Sequence, residues 1–319
     1  MSCANGEKMS AEYLAAFDVG GTKLDAVLFD TAGHIVSHVR ERGGIPLEIG
    51  AEAAERYYLA ALRKLTAGYE GRVATLYGSV ATIEYFGDGI QNNIKTALSL
   101  PCVRLEGDGM CLISGMLGHN DGCSIVCGTG SALFVREGDR YWHTGGWGHL
   151  IDSCGSGFVL GRMALQAALR AHDKRAEPTL LLELASRQCG EPIWEHYVRL
   201  YEGGRAYIAS FAGTVFEARR AGDPVARRIF DHCAGELADL VWVARRELGH
   251  DFDLVYNGGI FFNHRDYAEA VRALSPSGVR AIFSDVKPIY GCAVEAMHDV
   301  GLVCGEAFRR AFLGSYDAT

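Results

Sequence analysis

Tyr13-Leu-Ala-Ala-Phe17 runs into Asp18-Val-Gly-Gly-Thr-Lys23, and Leu24-Asp-Ala-Val-Leu-Phe29 follows. The first segment is a short apolar run and the last partly alternates, as strands do, so the glycine pair between them is a tight bend. Asp30-Thr-Ala-Gly33 makes the next turn and His34 to Val39 a third strand, giving a β-meander whose first bend is glycine-rich. The same plan recurs as Cys123-Ser-Ile-Val-Cys127, the bend Gly128-Thr-Gly-Ser131, Ala132 to Val135, the turn Arg136-Glu-Gly-Asp139, and Arg140-Tyr-Trp-His143. The chain therefore carries an internal duplication.

Between and after the repeats the apolar period becomes helical. Ala51 to Leu65 is amphipathic, Ile94 to Leu98 and Gly109 to Leu117 are shorter helices, and Val73 to Tyr77 and Cys102 to Leu105 are strands between them. Longer helices are expected over Phe158 to Ala171, Ala206 to Arg220 and Pro224 to Leu248. Leu254 to Tyr256 and Val279 to Phe283 read as strands, and Cys292 to about Phe312 as one last helix. Two α/β units imply two lobes with a cleft between them. The boundary falls in Gly118-His-Asn-Asp-Gly122, with residues 1–117 in the first lobe and 118–299 in a second lobe with a helical insertion.

Composition narrows the function classes. Lys and Arg total 31 against 39 Asp and Glu, a formal net charge of −8 without a basic stripe, which speaks against nucleic acid or an anionic membrane as partner. No apolar run reaches the length of a membrane span and the first ten residues lack an apolar signal core, so a cytoplasmic protein is expected. Ten cysteines in that setting read as reduced thiols. No CxxC or HExxH occurs, and Cys123 and Cys127 flank an apolar strand, where buried thiols are a better reading than metal ligands. Glycine is in excess, 40 of 319 residues, so many backbone positions need positive φ or a close approach.

The bend at Asp18 to Lys23 sets a carboxylate at the end of a strand and then offers backbone N–H groups to an anion. An acid beside phosphates is sensible only if it holds Mg²⁺, through water; the bland alternative is a hairpin with Asp capping the bend. Gly128 to Ser131 is the equivalent bend of the second unit, and together they make two phosphate loops. No Gly-Lys dipeptide exists, and no GxGxxG follows a strand, so P-loop and Rossmann readings are poor.

FDVGGTK, GTGS, Gly145-Gly-Trp-Gly-His-Leu150 with Gly155-Ser-Gly157, Tyr256-Asn-Gly-Gly259 and Pro288-Ile-Tyr-Gly291, in that order over nearly the whole chain, resemble the BadF/BadG branch of the sugar kinase, Hsp70 and actin superfamily. Within it the chain is most similar to N-acetylglucosamine kinases. The resemblance implies a duplicated ribonuclease H-like, actin/hexokinase-like fold with ATP between the lobes and sugar deeper in the cleft. It makes Gly20, Gly21, Thr22 and Lys23 the first phosphate loop, with Asp18 positioning Mg²⁺, and Gly128, Thr129, Gly130 and Ser131 the second. Gly258 and Gly259 border the adenosine. Asp108, in Glu106-Gly-Asp-Gly109, becomes the general base that takes the proton of the attacking sugar hydroxyl. Its alternative is a helix N-cap, and Glu106 is a lesser candidate. Gly146, Trp147, Gly148 and Asp152 would border the sugar, with core packing the alternative for Trp147 and a satisfied histidine the alternative for a hydroxyl-donating His149. A homodimer and a C-terminal helix, 300–319, packing back on the first lobe are further implications.

Two departures concern sugar recognition. The family's Gly-Asp-Glu-Gly-Ser is Asp152-Ser-Cys-Gly-Ser156 here, and its substrate-binding asparagine falls in Gly43-Gly-Ile-Pro-Leu47, which has none. Asp152-Ser-Cys154 and Cys189 also resemble the cysteine pair of related ATPases that activate 2-hydroxyacyl-CoA dehydratases through a subunit-bridging iron–sulfur cluster. That activator, or a non-catalytic sugar-sensing module, are the alternatives to a kinase.

Overall fold

The computed structural model describes residues 12–21 and 23–319. The strands β1 (Tyr13–Val19), β2 (Lys23–Asp30) and β3 (Ile35–Arg42) form the first meander, with Asp18 paired across β1 and β2 to Asp25. After α1 (Pro46–Ile49) and α2 (Ala51–Thr66), β4 (Val73–Val80) returns parallel to β1, setting Ser79 beside Asp18. After α3 (Gly89–Ala97), β5 (Cys102–Glu106) adds parallel to β4 and leads into α4 (Gly109–Leu117). The sheet order is β3-β2-β1-β4-β5. Strands β1, β2 and β4 are buried almost throughout, since helices cover both faces, and α2 contributes Ala54, Tyr58, Ala61, Leu62 and Leu65 to the core.

The second unit repeats this plan with β6 (Gly122–Cys127), β7 (Ser131–Glu137) and β8 (Arg140–Thr144) as its meander. The helices α5 (Gly157–His172), α6 (Leu181–Cys189), α7 (Tyr197–Ser210), α8 (Ala212–Arg220) and α9 (Pro224–Leu248) intervene before β9 (Phe252–Asn257), α10 (Gly259–Asn263), α11 (Arg265–Leu274) and β10 (Val279–Phe283). The order is β10-β9-β6-β7-β8, with β9 parallel to β6 and β10 parallel to β9. Read from their meanders, the two sheets are the same: three antiparallel strands whose first member is extended by two parallel ones. The fold is the duplicated α/β one expected.

The chain ends in α12 (Pro288–Asp299) and α13 (Glu306–Asp317). The expected single helix over Cys292 to Phe312 is thus two, interrupted where Gly301 adopts φ +76°. Likewise Ala206 to Arg220 is divided between α7 and α8, and α6 was not foreseen. The compact units comprise the residues up to Asn120 together with Ser284–Thr319, and Asp121–Phe283. Residues 284–299, placed by sequence in the second lobe, group with the first, because α12 packs on α4 and β1. A Cβ on Gly291 would lie 1.9 Å from the Cys111 carbonyl oxygen, so backbone meets backbone there. Cysteines 111, 123, 127, 154, 189, 233, 292 and 304 are free thiols. Cys102 departs from the expectation of reduced thiols and is disulfide-bonded.

Asp25 ties α13 to the first sheet. Its carboxylate is fully buried. It accepts hydrogen bonds from His38 Nε2 at 2.7 Å and from the Tyr316 hydroxyl, and pairs with Lys23 Nζ at 2.7 Å. Burial alone would raise its pKa, but these donors outweigh it and hold the carboxyl well below the usual range. A group with a depressed folded pKa contributes stability above its unfolded value of about 3.9, and that contribution is lost as pH falls through the folded value. Asp25→Ala should therefore lower the unfolding free energy by about 3 kcal/mol at pH 7, in urea titrations followed by circular dichroism. The deficit should shrink as the buffer is taken below about pH 4; a deficit unchanged at pH 3 would contradict this account.

Candidate functional site

In the first unit three acidic or polar side chains stand at the carboxyl ends of adjacent parallel strands. Asp18 lies opposite Ser79 in the register of β1 and β4, and Ser79 opposite Glu106 in that of β4 and β5. Part of Asp18 reaches solvent, yet its carboxyl is crowded by protein. Lost hydration is the main reason its pKa is pushed up to about 7; Lys23 and the Ser79 hydroxyl pull it down, and repulsion from Asp108 and Asp25 pushes it up. Beneath it, the thiols of Cys111 and Cys292 lie within 4.8 Å of the carboxylate and of each other.

Asp108 sits at the head of α4 in a helical conformation, φ −67° and ψ −14°, and its side chain makes no capping hydrogen bond. That weighs against the N-cap alternative. Glu106 is otherwise engaged: Oε2 accepts from the Tyr77 hydroxyl at 3.0 Å and Oε1 from Arg104 Nη1 at 3.0 Å. Lys23 Nζ pairs with Asp25 and is 45% exposed, so it is shared between a structural partner and the open side of the bend. Gly20 donates its N–H to the Lys23 carbonyl at 2.9 Å, closing that bend. Thr22 lies outside the described residues.

In the second unit the bend after β6 is closed by Gly128 N–H donating to the Gly130 carbonyl at 2.8 Å. The first turn of α5 is fastened to it, Gly157 donating to the Gly128 carbonyl at 2.8 Å and Phe158 to that of Thr129 at 3.1 Å. The Ser131 hydroxyl is buried and donates to the Cys154 carbonyl, so it fastens the turn at residues 152–156. Gly258, with φ +100°, brings the end of β9 against the end of β6, where a Cβ would lie 2.3 Å from the Cys127 carbonyl oxygen. Asn257, just before it, is buried and donates to Ser124 Oγ at 2.8 Å.

The bend glycines divide into two kinds. Gly20, Gly128 and Gly259 have nothing within 4 Å of an added Cβ, and Gly130 has only Ser153 Oγ at 4.0 Å; none adopts positive φ. Among the described residues, nothing requires glycine at these four positions. Of the two reasons expected for glycine, positive φ does not apply at these four, and the space over them is open. Gly146 is of the other kind, with φ +80° and the Ala132 side chain 2.8 Å from an added Cβ.

That glycine anchors the loop carrying Trp147, which is 59% exposed, so core packing is excluded for it. Its ring lies tilted beside His143, centroids 5.0 Å apart. His149 meets Phe158 edge-on at 5.1 Å. Asp152 donates its N–H to the Gly148 carbonyl at 2.8 Å and accepts the Cys154 thiol at 2.8 Å. Burial first, then this bond and the Asp152 charge, push that thiol up to about 12. Cys154 and Cys189 belong to no group of converging metal-ligating side chains among the described residues. Sequence reading missed Ser79 because β4 was ended at Tyr77; its apolar run continues through Gly78-Ser-Val80, the signal that would have found it.

A family model described as the BadF/BadG/BcrA/BcrD ATPase family matches residues 17–297. The chain is 31% identical over 155 residues to the N-acetylmuramic acid/N-acetylglucosamine kinase of Clostridium acetobutylicum, covering 46% of this chain and about half (50%) of that protein. It is 26% identical over 288 residues to the N-acetyl-D-glucosamine kinase of Dictyostelium discoideum, covering 79% of this chain and 86% of that one. Among solved structures, a Chromobacterium violaceum protein regarded as a candidate N-acetylglucosamine kinase shares the fold with a TM-score of 0.71 at 21% identity, over 90% of this chain and 99% of that one. A ROK family glucokinase from Streptomyces griseus, solved with glucose and AMPPNP, does so with a TM-score of 0.57 at 20% identity, over 89% and 98%.

The division among the glycines is testable by stability alone. Gly130→Ala should leave the unfolding free energy unchanged or raise it by up to about 1 kcal/mol, because alanine fits and the unfolded chain loses freedom. Gly258→Ala should cost more than that gain, through strain at positive φ and collision with Cys127. Equal melting temperatures for the two variants in differential scanning calorimetry would refute the distinction.

Proposed function

Since the chain belongs to the BadF/BadG/BcrA/BcrD ATPase family, we propose that it is an ATP-dependent kinase phosphorylating a hydroxyl of a sugar, with amino sugars of the N-acetylglucosamine type as its substrate class. The observation that carries the reading is the uncrowded, unstrained glycine at Gly20, Gly128, Gly130 and Gly259. Uncrowded glycines also occur in helices, at Gly213, Gly235 and Gly314; what sets these four apart is their place in or beside the strand-end bends, where bare backbone lets phosphate oxygens approach closely. The relatives' assignments point the same way.

In this reading Asp108 orients the sugar hydroxyl and accepts its proton as the γ-phosphate is attacked, a role suited to a carboxylate not engaged in capping its own helix. Gly20, Gly21, Thr22 and Lys23, with the backbone of Gly128 to Ser131, hold phosphates, and Gly258 and Gly259 border the nucleoside. Gly146, Trp147, Gly148 and Asp152 border the sugar, and the exposed indole offers a flat apolar face to a pyranose ring.

Asp18 fits a Mg²⁺ partner, because its carboxyl is desolvated and its cation neighbour Lys23 is already paired with Asp25. When bound, Mg²⁺ would neutralise phosphate charge as it shifts toward the leaving group. Cys154 Sγ is held within its own turn by Asp152 Oδ1 at 2.8 Å, and the relatives' names favour the sugar kinase over the iron–sulfur activator. The protein is further proposed to act in the cytoplasm as a homodimer; no helix among the described residues is long and apolar enough to cross a membrane.

ADP release with Mg-ATP across amino sugars, N-acetylated sugars, muramic derivatives and plain hexoses tests the proposal. Turnover should depend on the sugar, and Asp108→Asn should lower kcat by about 10²–10⁴ while ATP binding persists. Sugar-independent or absent turnover from folded protein would overturn it. Gly130→Ala, silent in stability, should raise KM for ATP about tenfold if the backbone there meets phosphate, a loss of about 1.4 kcal/mol.

A further inference from the structure

We propose that His119, Glu295 and His298 form a binding site for a borderline divalent metal ion of the zinc, cobalt or nickel class, distinct from the Asp18 region. Glu295 and His298 are three residues apart on α12 and so share a face, and His119 follows the end of α4, which packs on it. One ligating atom from each lies within 4.8 Å of the others. His119 Nε2 stands 3.9 Å from Glu295 Oε1, and the two imidazoles stack with centroids 3.6 Å apart and planes inclined 22°.

Glu295 is a fixed ligand. It is 2% exposed, Oε2 accepts from Arg104 Nη2 at 2.6 Å, and Oε1 accepts from the Ser114 hydroxyl. Around it three carboxylates, Glu106, Glu295 and Asp299, share the guanidinium of Arg104. Asp299 Oδ2 is buried with no hydrogen-bond partner among the described residues. The cluster thus carries more buried negative charge than Arg104 balances, beside two imidazoles that are the preferred nitrogen ligands of such metals.

Stacked rings aim their nitrogens nearly parallel, whereas ligands of a tetrahedral ion with bonds of about 2.0–2.1 Å converge to about 3.3 Å from one another. Binding therefore needs one imidazole to swing out of the stack. Both rings are exposed and can turn, while the buried carboxylate stays. A cavity of about 590 Å³, lined in part by His119, His298 and Cys304, opens beside them and gives an ion its entry and its fourth, water-filled position. A bound ion would fasten α12 to the segment just ahead of Asp121, where the chain leaves the first unit.

The inference stands apart from the kinase reading, and its test is spectroscopic. Cobalt(II) is titrated into the full chain, freed of any histidine tag, and followed by visible absorption, then displaced with zinc. One tetrahedral cobalt per chain is expected. His298→Ala and His119→Ala should each weaken it at least about tenfold while leaving the metal-free melting temperature unchanged; imidazole loss at exposed positions spares the Arg104 cluster. Absent binding would overturn the proposal. So would equal affinity in the double histidine variant, or a thiolate-to-cobalt band that persists in that variant, which would place the ion at cysteines away from the imidazoles, such as Cys111 and Cys292.

Discussion

Backbone pressed against backbone is the constraint on which both units depend. At Gly291 the missing side chain lets α12 lie on α4, and at Gly258 it lets the end of β9 lie on the end of β6. Any Cβ at these positions would stand 1.9 or 2.3 Å from a carbonyl oxygen, far inside contact distance. The first approach sets Cys292 beside Cys111 under Asp18 and carries Glu295 and Asp299 to Arg104. The second sets Gly259 alongside the bend that follows β6. Chemically distinct residues are collected at the strand ends because glycine allows the elements that bear them to touch.

Charge is treated in two opposite ways within a few ångströms of strand. Asp18 and Asp25 are cross-strand partners in β1 and β2, yet the pKa of one is raised and that of the other lowered. Asp25 receives an imidazole, a phenol and an ammonium group, enough to outweigh desolvation. Asp18 receives the Ser79 hydroxyl and a more distant share of the same lysine, against two carboxylate neighbours. A well-compensated buried charge such as Asp25 holds structure together, whereas Asp18 is desolvated beside two like charges and keeps its carboxyl raised. Residue type does not separate the two; surroundings do.

Much of the fold was legible in the chain. The meanders, the glycine bends and the duplication come from short-range alternation and local bend chemistry, and α4, α9 and β10 lie where the pattern put them. The misses are long-range. The break between α12 and α13 and the membership of residues 284–299 depend on what α12 packs against, which no window of sequence contains. Trp147 reads equally as core or surface until the loop held by Gly146 is seen to project it outward.

By itself the sequence determined the two α/β units, the positions of their bends and which acids stand at strand ends, because a period of two and a glycine pair act over a few residues. The tertiary structure decided which of those acids is compensated, that Glu106 is tied to Tyr77 and Arg104 whereas the Asp108 side chain makes no capping bond, and that His119 meets α12. Each of these depends on desolvation and on donors supplied by residues distant in the chain, and burial exists only once the elements have packed.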